Sequence, residues 1–153
     1  MLKIYNIKDK LEYLEEVETL TYLEWGSKIN NEEELENKIN IKIQKVRNNL
    51  NNPYFCKLIL LDNEELIGFI SLFENDCDEK KELKPWYATM YVKKEYRGKG
   101  YSKLLNNAIL KEAKESDFNK VYIKTDLINY YEKFGAHYLE NLNNGEKLYY
   151  IEL

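Results

Sequence analysis

Apolar residues recur along this chain in two rhythms, and the rhythms divide it into elements. Leu2, Ile4 and Ile7 predict a short first strand. Asp9 offers an N-cap, and Leu11, Leu14, Val17, Leu20 and Leu23 recur every three residues. This predicts a helix from about Lys10 to Trp25, stopped by Gly26. Asn31 before Glu32, Glu33 and Glu34 marks a second helix start, because acidic side chains favour the positive end of the helix dipole. Leu35, Ile39, Ile43, Val46 and Leu50 carry that helix to Asn51-Asn52-Pro53. Phe55 to Leu61 then reads as a buried strand, Asp62-Asn63-Glu64 as a turn, and Leu66 to Phe73 as the returning strand of a hairpin. Gly68 inside it marks a bulge or a close backbone approach.

The second half is patterned differently. A polar, acidic loop from Glu74 to Lys84 precedes a strand from Trp86 to Val92. Ser102 to Glu115 is helical, with Leu104, Leu105, Ala108, Ile109 and Ala113 on one face. Val121 to Ile123 forms a strand, and a helical segment around Asn129 to Phe134 ends at Gly135. His137 to Leu139 and Leu148 to Leu153 flank a hairpin turn at Asn143-Asn144-Gly145. Hairpins in the first half and one strand–helix–strand crossover in the second predict an α/β (α+β) chain. Its mixed sheet has helices packed on it, within a single domain over residues 1–153.

Composition narrows the class. The chain is 44% hydrophobic with 14 tyrosines, which argues against disorder. No apolar run reaches the roughly 20 residues of a membrane span, and the first residues lack a secretory leader pattern, so a cytoplasmic protein is expected. Two cysteines, Cys56 and Cys77, and one histidine make neither a disulfide framework nor a four-ligand zinc site, so no metal is expected. A net charge of −4 speaks against nucleic acid and anionic membrane as partners. The acidic clusters at Glu15 to Glu18, Glu32 to Glu34 and Asp76 to Glu79 read as solvated faces. Lys93, Lys94, Arg97, Lys99 and Lys103, opposed only by Glu95, instead suggest one small anionic ligand held locally.

Those cations surround a strand-to-helix turn, Val92-Lys93-Lys94-Glu95-Tyr96-Arg97-Gly98-Lys99-Gly100-Tyr101-Ser102. The first amides of the helix lack intrahelical acceptors, and Gly98 and Gly100 remove side chains that block close approach, so phosphate is the natural occupant. A P-loop needs Ser or Thr after Gly98-Lys99, where Gly100 stands. A dinucleotide fingerprint needs a third glycine where Lys103 stands. A glycine turn with no ligand at all is the plain alternative, and the five cations weigh against it.

The segment resembles the GCN5-related N-acetyltransferase (GNAT) family. Arg97, Gly100 and Ser102 take the places of that family's coenzyme loop (Arg or Gln, two residues, Gly, one residue, Gly or Ala), with Val92 at its preferred valine. Ser102 departs from Gly or Ala but is small. Tyr130-Tyr131-Glu132-Lys133-Phe134-Gly135-Ala136 is similar to a second family signature, with Ala136 replacing the usual Phe. The resemblance spans nearly the whole chain. It implies a mixed, mostly antiparallel sheet of six to seven strands with about four helices, splayed between the fourth and fifth strands. It also implies acetyl-CoA as co-substrate, its pantetheine arm lying along Met90, Tyr91 and Val92. The pyrophosphate would rest on amides of Arg97, Gly98, Lys99, Gly100, Tyr101 and Ser102.

By the same resemblance, Tyr131 is the acid that protonates the departing thiolate, and Tyr130 packs. The strand before the loop, Trp86-Tyr87-Ala88-Thr89-Met90, lacks the carboxylate that serves many relatives as general base. Glu24, Glu74 and His137 are the remaining candidates, and the base stays unassigned. Glu24-Trp25-Gly26 and Pro85-Trp86-Tyr87-Ala88 are similar to a subgroup of these transferases, which offers Trp25 and Trp86 as acceptor-binding residues. The expected acceptor is an amine, either a small molecule, a polyamine, an aminoglycoside or a protein N-terminus. Acidic matter at Asp76 to Glu79 would steer it. The other function class is a non-catalytic acetyl-CoA sensor, and the expected assembly is a monomer or homodimer.

Overall fold

The computed structural model describes all 153 residues. Seven strands, β1 (Leu2–Asn6), β2 (Cys56–Asp62), β3 (Glu65–Phe73), β4 (Trp86–Val92), β5 (Lys120–Thr125), β6 (His137–Asn141) and β7 (Lys147–Glu152), form one sheet. Their order is β1-β2-β3-β4-β5-β7-β6. Helices α1 (Leu14–Trp25), α2 (Glu32–Asn49) and α3 (Tyr101–Glu115) cover it.

The pleat explains how the helices are shared between the two faces. Leu58 and Leu60 of β2 join Leu105, Ile109 and Ala113 of α3 in one buried cluster. Their neighbours Ile59 and Leu61 join Leu14 and Val17 of α1 and Val46 of α2 in another. Strands buried on both faces carry near-continuous apolar runs, as β2 and β3 do. Gly68 combines both expected roles. The β2–β3 register shifts beside it, and a Cβ there would stand 2.4 Å from the Tyr91 carbonyl of β4.

Every pairing is antiparallel except β4 with β5, which is parallel and registers through a single pair, Trp86 with Tyr122. The Tyr122 amide donates to the Pro85 carbonyl at 3.1 Å, and beyond this rung the two strands part. The sheet is therefore splayed between the fourth and fifth strands, as expected.

Two helical expectations are corrected. The stretch from Lys10 does not enter α1 directly, because Ile7–Asp9 and Leu11–Tyr13 are 3-10 turns separated by Lys10 at φ −142° and ψ 48°. A repeat of three is the 3-10 period, so the apolar spacing from Leu11 to Leu14 describes this geometry better than an α-helix. The expected fourth helix is a four-residue 3-10 turn, Tyr131–Phe134, leaving three α-helices. Asn129 at φ +58° and Gly135 at φ +88° bound a segment too short for α-helix propagation. Asn31, by contrast, caps α2 as expected, accepting from the Glu34 amide at 3.1 Å.

Candidate active site

The turn after β4 is held from beneath and left open above. The Lys93 amide donates to Ile67 of β3 at 2.9 Å. The Lys93 ammonium pairs with Glu16 of α1 at 2.8 Å and Glu65 of β3 at 3.4 Å. The Arg97 side chain folds back, donating from Nε to the Val92 carbonyl at 2.8 Å and covering the Tyr91 ring. Lys93 and Arg97 thus brace the bend, whereas Lys94, Lys99 and Lys103 are exposed and form no ion pair.

Above this brace the backbone is unsatisfied. The amides of Gly98, Lys99, Gly100, Tyr101, Ser102 and Lys103 have no acceptor in the protein, and the first helical bond here runs from Leu104 to Gly100. Gly98 at φ +79° and Gly100 at φ +82° occupy the left-handed region, and nothing lies within 4 Å of a Cβ built on either. Six free donors on an exposed bend, at the positive end of a 15-residue helix, fit a diphosphate.

The splay supplies the groove that leads from this bend. A cavity of about 460 Å³ is bordered by Met90, Tyr91, Val92, Arg97, Gly98, Gly100, Tyr101 and Ser102. Lys99, expected with them, does not border it, and its ammonium lies over the ring of Tyr96, which does. Inside β4, Ser71 pairs with Ala88 and Phe69 with Tyr91, so Thr89 and Met90 together face Ile70. This one-residue bulge puts Thr89 at φ +49° and takes it out of the ladder.

A second cavity, about 660 Å³, opens on the other side of the bulge and shares Glu24, Trp25, Met90, Leu127 and Tyr130 with the first. Tyr131 borders it, its ring edge-on to Tyr87 at 5.8 Å and to Tyr130 at 4.8 Å. The Tyr131 hydroxyl has no partner in the protein, and burial, with Tyr130 beside it, pushes it up to about 12. Tyr130, expected only to pack, borders both cavities.

The two tryptophans separate cleanly. Trp25 is half exposed and borders both cavities. Trp86 borders neither: it is completely buried with Leu142 and Leu148, its indole N–H donating to the Leu83 carbonyl at 2.8 Å. The expectation that Trp86 contacts an acceptor is corrected. Its polar atom is already satisfied and its ring is core.

The carboxylates sort as well. Glu74 is engaged by Asn52 at 3.1 Å and Lys84 at 3.4 Å, and His137 packs against Tyr150 on β6. Glu24 borders both cavities, and the second cavity adds Asp76, Asp126 and Glu146. Asp76 is the one whose chemistry is altered. Burial raises its carboxyl to about 6, Glu146 adds to the rise, and Lys124 opposes it. It lies in the aperiodic loop between β3 and β4, where only its membership of an acidic cluster marked it in the sequence.

A family model described as "Acetyltransferase (GNAT) family" matches residues 12–136. The fold is similar to PaiA N-acetyltransferase from Thermoplasma acidophilum in complex with coenzyme A, at 22% identity and a TM-score of 0.65, covering 100% of this chain and 99% of that one. It is also similar to a spermidine N-acetyltransferase from Vibrio cholerae, at 16% identity and a TM-score of 0.69 over 99% and 93% of the two chains. The Salmonella typhimurium protein YncA, solved with acetyl-CoA, gives 12% identity and a TM-score of 0.72 over 99% and 94%. No curated protein matches the chain.

Proposed function

The chain belongs to the GNAT family of acetyltransferases, and from that premise we propose that it moves an acetyl group from acetyl-CoA to a primary amine by direct attack with both substrates bound. The observation that carries this reading is the run of six unpaired amides, Gly98 to Lys103, at the open end of the splayed sheet. Acetyl-CoA supplies an activated thioester. The bend holds its diphosphate, Lys94, Lys99 and Lys103 offer charge to its outer phosphate, and Met90 to Val92 line the arm. The bulge at Thr89 and Met90 marks where that arm would meet the second cavity, which is the acceptor's entrance.

Asp76 is the proton acceptor. At neutral pH a carboxyl raised to about 6 is ionised yet far more basic than an ordinary aspartate, the condition for general-base work. It takes one proton from the incoming ammonium, directly or through a water, and passes it to solvent. The freed nitrogen lone pair forms the C–N bond as the C–S bond breaks, and the second nitrogen proton is lost as the sulfur gains one. Tyr131 serves the sulfur. A hydroxyl near 12 stays protonated throughout the neutral range, so it always presents a donor to the leaving thiolate.

The test is release of free thiol from acetyl-CoA against a panel of amines and peptides, alongside the melting temperature with and without acetyl-CoA. Turnover of at least one amine, with a raised melting temperature, is expected. A stabilising coenzyme with no amine turned over would overturn the transferase reading.

A further inference from the structure

A third cavity, about 470 Å³, continues the acceptor cavity away from the splay, sharing Trp25, Asp76 and Thr89 with it. The charges along the joined trench are segregated. At the thioester end stand Glu24, Asp76, Asp126 and Glu146 against a single cation, Lys124, and none of these carboxylates is in an ion pair. At the far end the charged side chains are Glu18, Lys42, Lys45, Lys57 and Glu74, with Asp76 at the junction.

Most of the far-end charges cancel internally. Lys57 is buried and bonded to the buried Glu18 at 2.7 Å. Glu74 is held by Lys84 and Asn52. Lys42 and Lys45 remain, three residues apart on one face of α2, half-buried and exposed respectively, and neither has a carboxylate partner. The trench therefore runs from an acidic end, where an ammonium is received and deprotonated, to a far end whose carboxylates Glu18 and Glu74 are already paired and whose Lys42 and Lys45 are not.

We infer that the acceptor is a zwitterion, a primary amine carrying a carboxylate or phosphate, which enters with its nitrogen at Asp76 and its anion at Lys42 and Lys45. This rests on the transferase reading above. A neutral tail leaves the two lysines without a partner, and a second ammonium would meet them as like charges, which selects against diamines. Charge-assisted contacts from two lysines in a partly dry trench support roughly a ten- to hundredfold preference for the anionic tail.

Four amines of matched chain length test this: aminohexanoate, aminohexyl phosphate, hexylamine and diaminohexane. Two readouts are used, thiol release with acetyl-CoA and the emission of Trp25, which borders the trench at its junction while Trp86 stays buried and constant. One or both anionic amines should show kcat/KM at least about tenfold above hexylamine, with diaminohexane poorest. Comparing the two anionic amines identifies carboxylate or phosphate as the tail. In Lys42→Gln with Lys45→Gln, the ratio of aminohexanoate to hexylamine should fall toward one, and Lys45→Glu should shift preference toward diaminohexane. Equal turnover of all four, a preference for diaminohexane in the unaltered protein, or an unchanged ratio in the double variant would overturn the inference while leaving acetyl transfer standing. If no amine is turned over, Trp25 emission decides. A response to an anionic amine that is lost in the double variant supports the trench, and its absence overturns it.

Discussion

Thr89 donates its hydroxyl to Ser71 Oγ at 2.8 Å across the β3–β4 seam, and the bond fixes a β-branched residue at φ +49°. Such a conformation costs on the order of 1–3 kcal/mol and persists only where the surroundings impose it. Ser71 is completely buried, so its hydroxyl is a fixed reference for the bulge. Ser71→Ala should destabilise the fold by about 1 kcal/mol, and it should lower kcat by about tenfold as Thr89 relaxes out of register with the thioester. Steady-state kinetics and a melting curve check both, and an unaltered kcat would mean that the bulge is indifferent to this bond.

Gly100 tests the phosphate cradle. A Cβ at φ +82° meets no protein atom, so the Cβ of Gly100→Val touches nothing in the free chain while the side chain fills the space left for the ligand. Backbone strain should cost about 1–2 kcal/mol, and the melting-temperature rise given by acetyl-CoA should vanish. Retention of that rise would move the diphosphate elsewhere.

Tyr131→Phe removes a donor and keeps the ring that packs on Tyr87. Turnover should drop by about 10²-fold with little change in acetyl-CoA affinity, measured by titration calorimetry beside kcat. Since the hydroxyl stays protonated to about 12, the unaltered enzyme should show no alkaline loss attributable to this residue below about pH 11.

Asp76 links activity to stability with opposite signs. Its folded carboxyl, at about 6, lies above the ordinary value of 3.8, so the native state binds this proton more tightly than the unfolded chain. The resulting stabilisation is complete below about pH 4 and is lost as pH rises through 6, leaving an ionised, desolvated carboxylate at neutral pH. Asp76→Asn should therefore raise stability at pH 7.5 by on the order of 1–3 kcal/mol, a gain that disappears near pH 4. The same change should lower kcat/KM by about a hundredfold. In the unaltered enzyme kcat/KM should decline below about pH 6, and a rate flat from pH 5 to 8 would exclude Asp76 as base.

The ion pair of Lys57 and Glu18, buried at the far end of the trench, bears on stability. Burial pulls the Lys57 ammonium below its ordinary range, and Glu18 opposes that pull. Glu18→Gln strands a buried cation and should cost about 3–5 kcal/mol, whereas Glu18→Leu with Lys57→Met should be near neutral. Thermal melts of the two variants separate these outcomes.

The legible part of this molecule was the part written in local chemistry. Arg97, Gly98 and Gly100 announce their bend because only certain residues tolerate φ near +80° and leave amides free, and Asn31 announces its helix by what its side chain accepts. Asp76 was not legible. Its altered acidity comes first from burial that only folding creates, with Lys124 of β5 opposing and Glu146 of the β6–β7 turn adding, residues almost fifty and seventy positions away that no periodicity relates. Trp86 misled for the complementary reason. An aromatic beside a coenzyme loop looks the same in one dimension whether it faces a cavity or the core, and the bond to Leu83 that decides the matter is made only on folding. Tyr130 and Tyr131 are adjacent in a tight turn; the motif marked Tyr131 as the acid and left Tyr130 to packing, and only the folded chain sets Tyr130 on both cavities.

The lone rung between Trp86 and Tyr122 gives Trp86 a mechanical office in place of the chemical one. The two half-sheets are joined at that single fastening, and the angle between them sets how wide the coenzyme's berth stands. A smaller side chain wedged at the join would let the halves settle together, so an enzyme with every reactive group intact could be starved by the narrowing of its own doorway.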